Sequence, residues 1–232
     1  MSRLDWIDIA RGSFFFPMLL YHFFSLYDVT VGTTLASNPM IHLLGNVRLL
    51  YILLAGVSLY LSATRSRSAS GFYKKRVRRT YDIAVYAACL TLVTYWLHPT
   101  QMIRFGILHF IALGTLLVSP IAYANSIPLT MVALMASCCL SYLPSFSKSI
   151  DVVLGGSIPY NSMDWFPLNR YLPVLLLGLL IAQVTNLNQV EQDTQTPYRQ
   201  LEWMGTHSLE LYAAHVIVLM IVYYVLFHKN DK

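Results

Sequence analysis

Mostly apolar stretches of roughly 17–23 residues recur from one end of this chain to the other, and no water-soluble fold accommodates that pattern. They fall at about 7–27, 42–63, 81–98, 105–124, 127–143, 170–187 and 206–228. A helix of about 20 such residues crosses the ~30 Å hydrocarbon layer of a bilayer. The fifth stretch is the shortest, because SCCLSYLP at 137–144 ends it early. Only 12% of the 232 residues are charged and 56% are hydrophobic, whereas a soluble domain carries about 25% charged residues to solvate its surface. Lipid must cover what charge does not. The sequence therefore predicts an all-α fold, a polytopic membrane helix bundle of about seven transmembrane helices. No internal repeat or soluble domain interrupts it, so 1–232 reads as a single integral-membrane domain. Acidic residues precede the first stretch and no small-residue cleavage site follows it, so it reads as a retained span and not a signal peptide.

The net charge of +5 could suggest nucleic acid, but its distribution argues otherwise. Seven of the sixteen Lys and Arg residues lie between Arg65 and Arg79, with no acidic residue among them. A basic loop between apolar spans is what the cytoplasmic side of a membrane protein carries. The loop and the N-terminus are then cytoplasmic. His98–Arg104 and 144–169 face outside, 188–205 faces inside, and with seven spans the C-terminus ends outside. Gly, Pro, Ser and Asn make 144–169 a predicted loop, in which Ile158, Trp165 and Phe166 could enter the membrane interface or cover a cavity. Cys89, Cys138 and Cys139 fall inside apolar segments and show neither disulfide nor metal spacing, so they read as packing residues.

Against this background a few polar residues need a reason. Residues 11–22 read RGSFFFPMLLYH. Eleven helical residues advance about 16 Å and turn three times with only about 20° left over. Arg11, Phe15, Met18, His22 and Ser25 therefore share one face. Ionisable groups inside membrane helices are costly and turn toward a partner or a cavity. Each has a structural alternative: Arg11 can snorkel and pair with Asp8, and His22 can bond another helix. More such residues follow. RFGILHF brings Arg104 and His109 to the outer end of the fourth span, and Arg48 enters the second. WMGTHSLELYAAH puts Ser208, Tyr212 and His215 on one face of the last. Three spans each carry a histidine into apolar surroundings, and together these point to a site. Histidine suits proton transfer near neutral pH, and arginine suits phosphate through its planar fork. A long cofactor with phosphates at one end and a reactive group at the other, such as a coenzyme A thioester, fits that separation. The chain has no Gly-rich phosphate loop, no G-x-S-x-G elbow and no CxxC.

RLDWIDIARG and MLLYH near the N-terminus, AGVSLYLS at 55–62, KKRVRR at 74–79, IRFGILHFIALGTLL at 103–117, DWFP at 164–167 and MGTHSLELYAAH at 204–215 resemble the bacterial and archaeal relatives of heparan-α-glucosaminide N-acetyltransferase. The blocks occur in the family's order over nearly the whole chain. The Arg-x10-His spacing is similar to that of the wider group of transmembrane acyltransferases that modify surface polysaccharides. The resemblance implies an enzyme that takes an acetyl or other short acyl group from acyl-CoA at the cytoplasmic face and delivers it across the membrane to a sugar amine or hydroxyl. His22 would be the general base or an acyl-carrying nucleophile, and Arg11 would bind phosphate or the thioester arm with Asp8 orienting it. His109 is the second candidate base, positioned by Arg104, while Ser208, Tyr212 and His215 line the cavity. No metal is implied. The implied partners are acyl-CoA, a glycan or other small acceptor, membrane lipids and, for so compact a chain, a second copy. In two respects the chain departs from the pattern. His215 is followed by Val216 and Ile217 where relatives often have Gln-Pro, and the animal lysosomal enzymes place their proposed catalytic histidine beyond the first helix. Two other classes stay open on the residues alone: a haem-binding electron-transfer protein and a transporter with an Arg, His and Tyr path.

Overall fold

Every regular element is a helix in the computed structural model, which describes residues 5–35, 38–97, 99, 102–156, 162–187 and 198–227. In chain order these are α1 (Asp5–Val31), α2 (Pro39–Gly45), α3 (Val47–Thr64), α4 (Ala69–Leu97), α5 (Ile107–Ala124), α6 (Ile127–Cys139), α7 (Lys148–Leu154), α8 (Leu168–Val184), α9 (Arg199–Thr206) and α10 (Ser208–Phe227). The 3-10 turn Leu140–Tyr142 follows α6. Among the described residues no strand forms, and the nearest thing to one is an isolated bridge between Phe105 and Trp165. The all-α expectation holds.

Local chemistry explains several of the boundaries. The Asn38 side chain accepts from the Met40 amide at 3.0 Å, with Pro39 at the first turn, and so starts α2. Ser126 does the same for α6, and Asn125, in the left-handed region at φ 47°, ends α5 just before it. The predicted spans at 105–124, 127–143 and 170–187 match α5, α6 with its 3-10 turn, and α8 to within a few residues.

Other expectations need correction. By length and composition, Pro39–Thr64, Ala69–Leu97 and Ile107–Ala124 are long and apolar enough to cross a membrane. Arg199–Thr206 and Ser208–Tyr223 supply a fourth if they count as one span. Among the described residues three or four helices therefore meet that requirement, while α6 and α8 are apolar but shorter, so the expected count of about seven is met only in part. The basic segment is mostly not a loop: α4 begins at Ala69, so Lys74, Lys75, Arg76, Arg78 and Arg79 ride its first three turns. Residues 144–169 are not all loop either. Ser147 caps α7, and the buried Asp151 carboxylate accepts from the Ser145 hydroxyl and the Phe146 amide. Phe166 is buried against the Tyr171 ring at 4.4 Å, so it is a core residue and not an interfacial one. Ile158 and His98 lie outside the described residues. The last predicted span, 206–228, is α10 to within two residues, and α9 precedes it across a 78° bend at His207. The three cysteines are free and exposed, so they sit on the outer faces of their helices and not in the packing.

The chain divides into two compact units. One, Ile52–Glu191, holds most of α3 together with α4 to α8. Within it α3 and α8 cross closely enough that a Cβ on Gly56 would run into the Leu175 carbonyl, and one on Gly178 into that of Leu53. Small residues of this kind let membrane helices gain dispersion contacts where water offers no driving force. The other unit combines Ser2–Tyr51 with Gln192–Lys232 and so brings α1 and α2 together with α9 and α10. In both units large apolar side chains point outward, among them Phe16, Leu20 and Phe23 of α1, Leu92 and Trp96 of α4, and Met131 and Met135 of α6. Contiguous apolar faces of this extent suit hydrocarbon and not water. They are the surface of a membrane protein.

Candidate active site

Helix α1 is the spine of the terminal unit. It lies against α9 so tightly that a Cβ on Gly12 would overlap the Leu201 carbonyl, and one on Gly205 the Asp8 carbonyl. No larger residue fits at either contact without pushing the two backbones apart. Beside this crossing, Arg11 Nη1 donates to Asp8 Oδ1 at 3.1 Å. The carboxylate is 2% exposed and the guanidinium side chain 20% exposed. A charge so nearly sealed from water needs its partner, which makes the pair a fixed feature of the helix. Tyr51, from α3, donates its hydroxyl to the Arg11 carbonyl at 2.7 Å, and its ring meets Phe14 edge-on.

Three turns further along the same face, His22 Nδ1 lies 2.9 Å from His215 Nε2 of α10. The two rings are 5.1 Å apart between centroids. His215 is also anchored to its own helix, with Nδ1 donating to the Leu211 carbonyl at 3.1 Å. Aromatic rings enclose the pair. Phe15 meets His215 edge-on at 5.4 Å, and Tyr212 stands 5.9 Å from His22 and 5.3 Å from His215. Tyr21 lies 5.9 Å from His22, and the Arg48 guanidinium sits over the Tyr21 ring at 6.0 Å. Met18, on the same face, is buried. Phe15 and His22, on the face deduced from helical spacing, thus meet α10. Such an arrangement holds a proton acceptor between two helices, with its ring orientation fixed by a hydrogen bond and a shell of aromatic rings.

Ser208 opens α10 immediately after the bend at His207, one turn before Tyr212. Arg104 and His109 belong to the other unit. There His109 Nδ1 accepts from the Gly106 amide at 3.3 Å, and Nε2 faces the Thr91 hydroxyl at 3.4 Å. That hydroxyl in turn donates to the Ile103 carbonyl at 2.8 Å. Both ring nitrogens of His109 therefore tie down the entry to α5. Arg104 is exposed, and the Phe105 ring lies 5.9 Å from that of His109. Asp164 completes the same corner, accepting from the Ile107 amide at 3.0 Å, while the Phe166 amide donates to the Phe105 carbonyl. Nothing in the sequence singles out Thr91 or the carboxylate of Asp164 as members of this corner, although Asp164 stands in the DWFP block.

Two constellations thus emerge: Asp8 with Arg11, and His22 with His215 and Tyr212, both in the terminal unit. No curated protein and no solved structure matches the chain. A family model described as heparan-alpha-glucosaminide N-acetyltransferase, catalytic, matches residues 3–217. That span contains every residue of both constellations and the His109 corner, and on a match over nearly its whole length the chain belongs to the heparan-α-glucosaminide N-acetyltransferase catalytic family, whose activity is acyl transfer.

Proposed function

We propose that this protein moves an acetyl or other short acyl group from acyl-CoA at the cytoplasmic face to a sugar amine or hydroxyl presented across the membrane. In this reading 1–232 acts as one membrane domain that crosses the bilayer about seven times, with α6 and α8 as thin crossings and the N-terminus cytoplasmic. Arg11, oriented by Asp8, meets a phosphate of the donor. The His22 imidazole takes the proton from the acceptor nitrogen or oxygen as that atom attacks the thioester carbonyl. The carbon–sulfur bond breaks, and the departing CoA thiolate is protonated from the imidazolium. Tyr212 and Ser208 line the approach. His109, with both ring nitrogens committed to Gly106 and Thr91, serves the fold. The partners are acyl-CoA, a glycan or other small acceptor, membrane lipid and a second copy of the chain.

The single observation that carries this reading is the 2.9 Å hydrogen bond between histidines of the first and last helices, inside a shell of aromatic rings. Folding alone gains little from two imidazoles placed where lipid-facing helices could pack with Leu. Two imidazoles bonded directly to each other are also not posed on either side of a haem iron, so the geometry favours proton transfer over haem ligation. The experiment is release of the CoA thiol from acetyl-CoA by purified protein in detergent, with and without glucosamine-type acceptors. Acceptor-dependent release supports the reading. A protein that neither hydrolyses, exchanges nor transfers would overturn it, and a haem absorption spectrum of the same preparation would replace it with electron transfer.

A further inference from the structure

We infer that His215 is a positioning residue that sets the tautomer of His22, so that Nε2 of His22, and not Nδ1, carries the lone pair that receives the acceptor's proton; this rests on the acyl-transfer reading above. The inference follows from a chain of two hydrogen bonds. Nδ1 of His215 lies 3.1 Å from the Leu211 carbonyl, which can only accept, so that nitrogen bears the proton. In the neutral ring Nε2 is then bare. Nδ1 of His22 lies 2.9 Å from that bare nitrogen, so the proton between the rings belongs to His22. A neutral His22 with Nδ1 protonated has its lone pair on Nε2. A backbone carbonyl on the last helix thereby dictates which atom of a ring on the first helix is basic. Free imidazole side chains in water prefer the opposite tautomer, with the proton on Nε2. A tie between helices would need a hydrogen bond but would have no use for its direction.

The same chain serves the step that follows. When Nε2 of His22 takes the proton, the ring becomes an imidazolium whose Nδ1–H still points at His215. The positive charge is shared through that bond, and His215 can accept it fully while Nδ1 stays on the Leu211 carbonyl. The proton returns by the same route to the CoA thiolate, so none is lost or gained over the cycle. This is the role an orienting partner plays for a catalytic histidine in other acyl-transfer enzymes, where the wrong tautomer is inactive.

The test uses the full-length protein in detergent, with ¹⁵N-labelled histidine and His22 assigned by its absence from H22Q. The wild type should show His22 protonated on Nδ1 and bare on Nε2. H215Q keeps an acceptor near the place of Nε2 and should preserve that tautomer and most of kcat. H215L and the shorter H215N should shift His22 to the ordinary tautomer. Both should lower kcat for CoA release by about 10²–10⁴-fold, with KM for acetyl-CoA changed by less than about twofold. A wild-type His22 protonated on Nε2 overturns the inference even if the Leu variant fails to fold. So does an H215L protein that keeps both tautomer and kcat. If the wild type shows the expected tautomer but no acceptor or condition yields acetyl-CoA turnover, the acyl-transfer reading falls, while the tautomer assignment stands on the spectrum.

Discussion

Asp8 and Arg11 hold each other at 3.1 Å on the first turns of α1, and the account asks the same guanidinium to meet a phosphate. Arg11→Lys keeps the charge but loses the planar fork, and Arg11→Ala loses both. Removing a charge-assisted contact should weaken acetyl-CoA binding by about 1.5–3 kcal/mol for Ala, with Lys between Ala and the wild type. Calorimetric titration measures this directly, and unchanged affinity in Arg11→Ala would leave the Asp8 pair as the only role of the residue. His109 gives the contrasting case. Its ring caps α5 through the Gly106 amide, so His109→Ala should cost about 0.5–2 kcal/mol of stability. Thermal denaturation should detect that loss while transfer per folded molecule stays close to the wild type, and a folded variant without transfer would return His109 to the chemistry. The sequence made Arg11, His22 and the shared face of Phe15 and Met18 legible, because helical spacing is local. It could not pair His22 with His215 across 193 positions, since nothing local records which distant ring answers a hydrogen bond.

Among the elements, the crossing of α1 and α9 governs how the Asp8–Arg11 pair is held. Gly205→Ala would press a methyl group into the Asp8 carbonyl, and overpacking of this kind costs about 1–3 kcal/mol. The variant should melt earlier and bind acetyl-CoA more weakly, because the backbone that carries Asp8 must move. Gly71, exposed in the first turn of α4 with only the Ser68 hydroxyl near, is the control: Gly71→Ala should be neutral or stabilising by up to about 1 kcal/mol. A Gly205→Ala protein as stable as the control would contradict the close approach. Helix existence was legible from apolar runs, and boundaries failed where tertiary wiring decides them. The 78° bend between α9 and α10 falls inside the block MGTHSLELYAAH, just ahead of the face that carries Ser208, Tyr212 and His215. Residues 148–154 look like loop by composition, yet they coil because Asp151 gathers the Ser145 hydroxyl and Phe146 amide around it.

In the proposed reading of the molecule as a whole, charge asymmetry sets the topology and the histidine pair sets the chemistry. The uncompensated basic residues at the start of α4 should hold that end in the cytoplasm. A cysteine at Ser70, in a background lacking Cys89, Cys138 and Cys139, should react with an impermeant reagent only after cells are permeabilised, and efficient labelling of intact cells would reverse the orientation. Span number was less legible than fold class, because α6 and α8 are short for a bilayer and α9 joins the last helix at a bend. The central claim is that His22 is the base of acyl transfer. Its most direct test is the transfer rate of His22→Gln measured beside acetyl-CoA affinity on one folded preparation. Gln keeps the size and a hydrogen bond but cannot take the proton. The account predicts unchanged affinity and a fall in transfer of about 10²–10⁴-fold; a folded His22→Gln enzyme that transfers at close to the wild-type rate would contradict it.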